Sequence, residues 1–133
     1  MLAILPKDHP LASRKTIQLY DIANEPYILL EEGQYSEPMA GFENAKIEPN
    51  IQYTLHDDYA IMTMVEAGLG ISILAELVLK RTNYDIVCLP IDPPIKRTLA
   101  IAYKDMDSMP IASKYFIDYL MAVSYTHLTL PTT

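Results

Sequence analysis

The sequence predicts an α/β fold with a mainly parallel sheet, and three observations carry that reading. Short apolar runs suited to strands alternate with segments of helical spacing, and parallel neighbours need a crossover that a helix usually supplies. Ile71 to Leu74 is almost continuously apolar, as a parallel strand covered on both faces should be. The third is the stretch Asp57 to Arg81, DDYAIMTMVEAGLGISILAELVLKR, which joins a helix, a glycine-bounded turn, a strand and a second helix with no spare residues.

In chain order, Leu2 to Leu5 reads as a strand. Pro6 to Pro10 (PKDHP) then interrupts regular structure, because two prolines remove backbone donors and restrict the residues before them. His9, in this connector between Asp8 and Pro10, reads as structural or solvent-exposed rather than catalytic. Leu19 to Asn24 is a short helix closed by Asn24 and by Pro26 beyond it. Tyr27 to Leu30 is a strand, Ser36 to Ala45 a helix with Ser36 as its cap and Pro38 in its first turn, and Ile51 to Leu55 the next strand.

Asp57 or Asp58 caps the following helix, since a carboxylate there accepts from unpaired backbone N–H groups and suits the positive end of the helix dipole. Ile61, Met64, Val65 and Gly68 fall at i, i+3, i+4 and i+7, which places one stripe against a core. Gly68 suits a left-handed cap, Leu69 can fold back onto the last turn, and Gly70 admits the backbone to the next strand without a Cβ clash. Ile71 to Leu74, a helix from Ala75 to Arg81 and a strand from Ile86 to Ile91 follow. After a second proline break, Asp92 to Pro94, come an isolated strand, Thr98 to Tyr103, and an amphipathic helix, Pro110 to Met121.

Composition narrows the function. Half of the 133 residues are hydrophobic, so one domain with a real core is expected. No apolar run approaches the ~20 residues of a membrane span, and the expected location is the cytoplasm. Ten basic and 17 acidic residues give a net charge of −7, which argues against direct DNA contact by a chain that would have to neutralise phosphates. Lys96 with Arg97 reads as a solvated flank, and Cys88, the only cysteine, as a core thiol between Val87 and Leu89. A single cysteine builds neither a disulfide nor a thiolate metal site. No metal or cofactor is expected. The chain lacks GxSxG, Walker, HExxH and paired-cysteine patterns, and Gly68-Leu69-Gly70 is too short for a dinucleotide fingerprint; no catalytic residue is assigned.

Ligands of open parallel sheets bind beyond the carboxyl ends of the strands. Those ends are Glu31, Glu32, Gly33 and Gln34 after the first strand of the sheet, His56, Asp57 and Asp58 after the second, and Ala75 with Glu76 after the third. Two fields oppose each other there: helix N-termini near Ser36 and Asp58 favour an anion, whereas Glu31, Glu32, Glu37, Asp57 and Asp58 repel one. Full charges outweigh partial ones, so the expected ligand turns a polar or amine-bearing end to Gln34, His56 and the backbone around Gly33.

DDYAIMTMVEAGLGISILAELVLK, read beside DHPLA (Asp8 to Ala12) and NEPYILL (Asn24 to Leu30), resembles the effector-binding region of LysR-type transcriptional regulators over residues 1 to 122. That family more often has proline where Ala75 stands, which leaves the start of this helix less rigidly set. The resemblance implies a periplasmic-binding-protein-like (type 2) subdomain with two hinge strands and an incomplete second lobe. Its organisation would be a hinge strand and connector over 1–10, the effector-binding subdomain over 11–95, and a return hinge strand with a helix of the other lobe over 96–122. A winged helix-turn-helix and a first subdomain would precede Met1, making the chain a fragment.

The implied function is small-molecule effector sensing, and the strand ends place the expected effector contacts at Glu31, Glu32, Gly33, Gln34, His56 and Asp57. DNA would be contacted only through the N-terminal domain. The implied assembly is a homodimer or tetramer through Met39, Phe42, Gln52 and Tyr53, so that a charge at Phe42 should weaken dimers more than it destabilises the monomer. A lobe of a solute-binding transport protein is the alternative. Val123 to Thr133, VSYTHLTLPTT, has no charged residue, resembles a translated sequencing adapter, and is set aside as a non-native tail.

Overall fold

The computed structural model describes residues 1–127, with side chains through Ser124. It divides into two compact units, Met1–Arg97 and Thr98–Thr133. In the first unit, β1 (Leu2–Pro6), α1 (Leu19–Ala23), β2 (Pro26–Leu30), α2 (Glu37–Asn44), β3 (Asn50–Leu55), α3 (Asp58–Glu66), β4 (Ser72–Leu74), α4 (Glu76–Leu79) and β5 (Ile86–Pro90) follow one another. β1 lies between β4 and β5 and runs against both, while β2 pairs in parallel with β3. A parallel bridge between Tyr27 and Ile71 sets β2 beside β4. The order is therefore β3-β2-β4-β1-β5, with four strands in one direction and only β1 reversed. β1, read from the sequence as a hinge strand, is thus also enclosed by the sheet.

Alternation along the strands sorts the core onto two faces. Ala3, Leu5, Tyr27, Ile71, Ile73 and Leu89 pack with Leu19 and Ile22 of α1 and Phe42 of α2. Ile4, Ile28, Leu30 and Leu74 pack on the other side with Ile61, Met62 and Val65 of α3. Ser72, the buried polar residue of β4, donates to the Ile28 carbonyl at 2.6 Å, so its hydroxyl is satisfied and adds a tie between β4 and β2.

The helix ends obey local rules. Ser36 Oγ accepts from the Met39 N–H at 3.2 Å, and Asp57 from the Tyr59 N–H at 3.0 Å, which settles Asp57 rather than Asp58 as the cap of α3. After α3, the Leu69 N–H reaches the Met64 carbonyl and the Gly68 N–H the Val65 carbonyl, with Gly68 at φ +83; this is a Schellman motif. The Leu69 side chain itself remains 45% exposed. α2 ends identically, with Ile47 N–H to Phe42 and Lys46 N–H to Glu43, but the left-handed position is held by Lys46 at φ 57. A β-carbon there is strained by about 1 to 2 kcal/mol, partly offset by the greater unfolded-state entropy of glycine. Lys46→Gly should accordingly raise the unfolding free energy by about 0.5 to 1 kcal/mol, seen as a higher urea midpoint at unchanged slope.

Several sequence expectations are corrected. The buried stripe of α3 is Ile61, Met62 and Val65, with Met64 half-buried and Gly68 exposed. Cys88 is exposed rather than a core thiol, because β5 is an edge strand whose Val87 and Leu89 face the packed side; partial shielding still pushes its pKa up. α4 is one short turn, since Ala75 offers no side-chain cap.

Phe42, expected at a subunit interface, is 1% exposed and packs edge-on against Tyr27 with ring centroids 5.4 Å apart. It belongs to the core because its face of α2 points at the sheet. Burial raises the Tyr27 phenol pKa well above its usual value.

In the second unit, Thr98 to Tyr103 is exposed and carries no strand. A strand requires a hydrogen-bonded neighbour, and none among the described residues pairs with this segment. α5 (Ile111–His127) continues past Met121 into the stretch set aside as a tail, so Val123 to His127 have helical backbone; residues 128–133 lie outside the described part. Ile111, Tyr115 and Tyr119 form an exposed apolar stripe on α5. No helix among the described residues is long and apolar enough to cross a membrane.

Candidate functional site

The parallel pairing of β2 with β3 brings their carboxyl ends side by side. The Glu31 N–H donates to the Leu55 carbonyl at 2.8 Å, and His56 Nδ1 lies 3.3 Å from the Glu31 carbonyl oxygen. A carbonyl only accepts, so this contact places the proton on Nδ1; the neutral ring then has Nε2 as an acceptor. The two loops are stapled together by residues 25 positions apart.

A groove of about 440 Å³ opens at this end of β2, lined by Glu31, Glu32, Gly33, Gln34, Ser36, Met39, Thr54 and the ends of Leu29 and Leu30. The four residues named in the first loop therefore lie together on one wall. Gly33 has φ +109 and open space where a Cβ would stand, so it turns the loop in a conformation that other residues resist. His56 borders the groove through its contact with Glu31. Asp57 is already committed through one carboxylate oxygen to its cap, and neither His56 nor Asp57 lines the groove.

Sequence reasoning missed Arg97. Its guanidinium places Nη1 and Nη2 on the Glu32 carboxylate and Nε and Nη2 on that of Glu37, with Nη1 to Glu32 Oε1 and Nη2 to Glu37 Oε1 both 3.1 Å. The Arg97 side chain is 22% exposed, not a freely solvated flank. Hydrogen bonding from Arg97 holds the Glu37 carboxyl below its usual range, and the two carboxylates raise the Arg97 pKa in turn.

Arg97 offsets one of the five negative charges counted at the mouth. The surroundings remain acidic: Asp58 is pushed up, first by burial and then by the nearby Glu32 charge. No sequence pattern links positions 32, 37 and 97. Among the described residues no cluster of three His, Cys, Asp or Glu could hold a metal ion.

The fold is an α/β lobe of the periplasmic-binding-protein-like type 2 class. The chain belongs to the LysR substrate binding domain family, whose model matches residues 1–124. The transcriptional activator CmpR of Synechocystis is 30% identical over 127 residues, covering 92% of this chain and 42% of the relative. The dual regulator GltC of Bacillus subtilis is 33% identical over 119 residues, covering 86% and 40%. The chain thus spans about two fifths of the length of these relatives.

Among solved structures, the Synechocystis CcmR regulatory domain in complex with 2-PG superposes with a TM-score of 0.74 at 28% identity, covering 95% of this chain and 63% of that one. The effector-binding domain of QuiR in complex with shikimate gives 0.68 at 26%, covering 95% and 61%. These relatives are regulators, which favours that reading over a transport-system lobe.

Proposed function

We propose that the chain is the effector-sensing part of a LysR-type transcriptional regulator, acting in the cytoplasm by binding a small molecule rather than by catalysis. The observation that carries this is the groove at the carboxyl ends of β2 and β3, in a lobe whose relatives include effector-binding domains with small molecules bound. The effector turns a polar or amine-bearing end toward Gln34, His56 Nε2 and the backbone around Gly33, and any carboxylate it carries toward the opposing lobe. Acidity at Glu31, Glu32, Asp57 and Asp58, only partly offset by Arg97, supports that polarity.

Thr98 to Tyr103 and α5 belong to the return crossing and the other lobe. The apolar stripe of α5 and the unpaired segment before it fit such a partner. Self-association runs through the outer edge of β3 and the exposed part of α2, using Met39, Gln52 and Tyr53 but not Phe42. DNA is contacted by another part of the regulator.

The test is calorimetry on the two-lobed effector domain with small ammonium compounds. A buried donor or acceptor left unpaired costs roughly 1 to 3 kcal/mol, so Gln34→Ala and His56→Ala should each weaken the tightest binder by about tenfold. Both variants binding like the parent while still folded would remove these residues from the site.

A further inference from the structure

Arg97 is the last residue of the unit that carries the groove. Beyond it, no hydrogen bond or ion pair among the described residues holds Thr98 to Lys104, and these residues are exposed. Behind it the chain is well fixed: Ile95 is buried, and its side chain comes so close to Gly41 that a Cβ there would lie 3.0 Å from Ile95 Cδ1. The Arg97 side chain is therefore the final anchor before a free stretch. Its two partners are not neutral bystanders. Glu32 lines the groove, and Glu37 sits in the first turn of α2 directly after the groove loop.

We propose that Arg97 is a positioning residue, a latch that ties the freedom of the segment beginning at Thr98 to the state of the Glu32 carboxylate. The guanidinium uses both of its forked edges, one on each carboxylate, an arrangement that fixes orientation as well as charge. While Glu32 is held by Arg97, the groove loop and the residue from which the segment starts are tied to one another. A cationic end of an effector competes with Arg97 for Glu32, so occupancy loosens the segment; by linkage, anything that fixes the segment alters the loop in return. This meaning for effector binding rests on the site reading above. The coupling itself does not, and it is open to measurement without any ligand.

The experiment is backbone 15N relaxation on the 133-residue chain, comparing the parent with Glu32→Gln and Arg97→Gln. In the parent the Arg97 and Thr98 amides, next to the anchored guanidinium, should be more ordered than those of Ala100 to Tyr103, and Glu32→Gln should lower their order parameters toward about 0.6. Arg97→Gln should lower those of Glu32 to Tyr35, whereas β1 and β5 should be unchanged in both variants. Arg97→Lys, which keeps the charge but lacks the fork, should behave like Arg97→Gln. Unchanged order at Arg97 and Thr98 in Glu32→Gln, or parent amides there already as mobile as Ala100 to Tyr103, would overturn the latch. Calorimetry of the effector site would be unaffected by that outcome, so the two readings fail separately.

Discussion

Gly70→Ala should lower the unfolding free energy by about 2 to 4 kcal/mol, beyond the usual range for a small added group, because the backbone has nowhere to go. A Cβ built on Gly70 falls 2.6 Å from the Pro26 carbonyl oxygen and 3.2 Å from Ile28 Cγ1. That same carbonyl accepts from the Ile71 N–H at 2.9 Å, and the Ile28 N–H donates to the Ile71 carbonyl at 2.9 Å. These two bonds hold β2 to β4, so relieving the clash means loosening the joint between the two halves of the sheet. Gly70, unlike Gly68, is not in the left-handed region. The cost is therefore steric and not conformational. Urea unfolding measures it; a loss under 1 kcal/mol would mean that β2 shifts freely and that the joint contributes little.

Phe42→Asp should leave the chain unfolded at 25 °C. Truncating a buried phenylalanine costs about 3 to 5 kcal/mol, and the unpaired carboxylate adds desolvation. The sum rivals the whole stability of a typical domain, about 5 to 15 kcal/mol. Phe42 lies in one buried apolar cluster with Tyr27, Ile17, Ile22 and Ile95 and packs edge-on against Tyr27. A charge there therefore reports on the core and not on self-association. Tyr53→Asp, at a position 43% exposed on the edge strand β3, is the matched control: its far-ultraviolet circular dichroism should equal that of the parent. A native spectrum for Phe42→Asp would place α2 differently from the arrangement described.

What was legible in the sequence is what local chemistry decides. Ser36 and Asp57 had to offer oxygens to helix N-termini, Gly68 had to take the left-handed cap, and Gly70 had to lack a Cβ. Each is visible because its cause lies within a few residues or in the residue itself. The rest depends on neighbours far along the chain. Met62 and Met64 are chemically alike, so periodicity could not tell which of them turns to the sheet; the packing of α3 against β1 and β2 decides it. Cys88 has apolar neighbours, but the edge position of β5, set by β1 entering between β4 and β5, exposes it. Thr98 to Tyr103 has the composition of a strand without a partner to make it one.

The groove loop was legible in part. Glu31 to Gln34 follow a strand whose carboxyl end faces the ligand side in any sheet of this kind. Arg97 was not, because its partners are 60 and 65 positions away and their charges alone predicted only mutual repulsion. An acidic mouth read from sequence is in fact partly neutralised: a cationic ligand end reaches Glu32 only in competition with Arg97.

The most direct test of the effector site is amide chemical-shift mapping on the two-lobed domain with the ammonium compound that raises its melting temperature most. The largest shifts are expected at Gly33, Gln34 and His56, with smaller ones at Arg97 and Thr98. A second, smaller groove of about 260 Å³ lies between α1, the end of α2 and the loop after β5, at Gln18, Tyr20, Ile47 and Pro93. Shifts confined to that groove, with Gly33, Gln34 and His56 silent, would contradict the account.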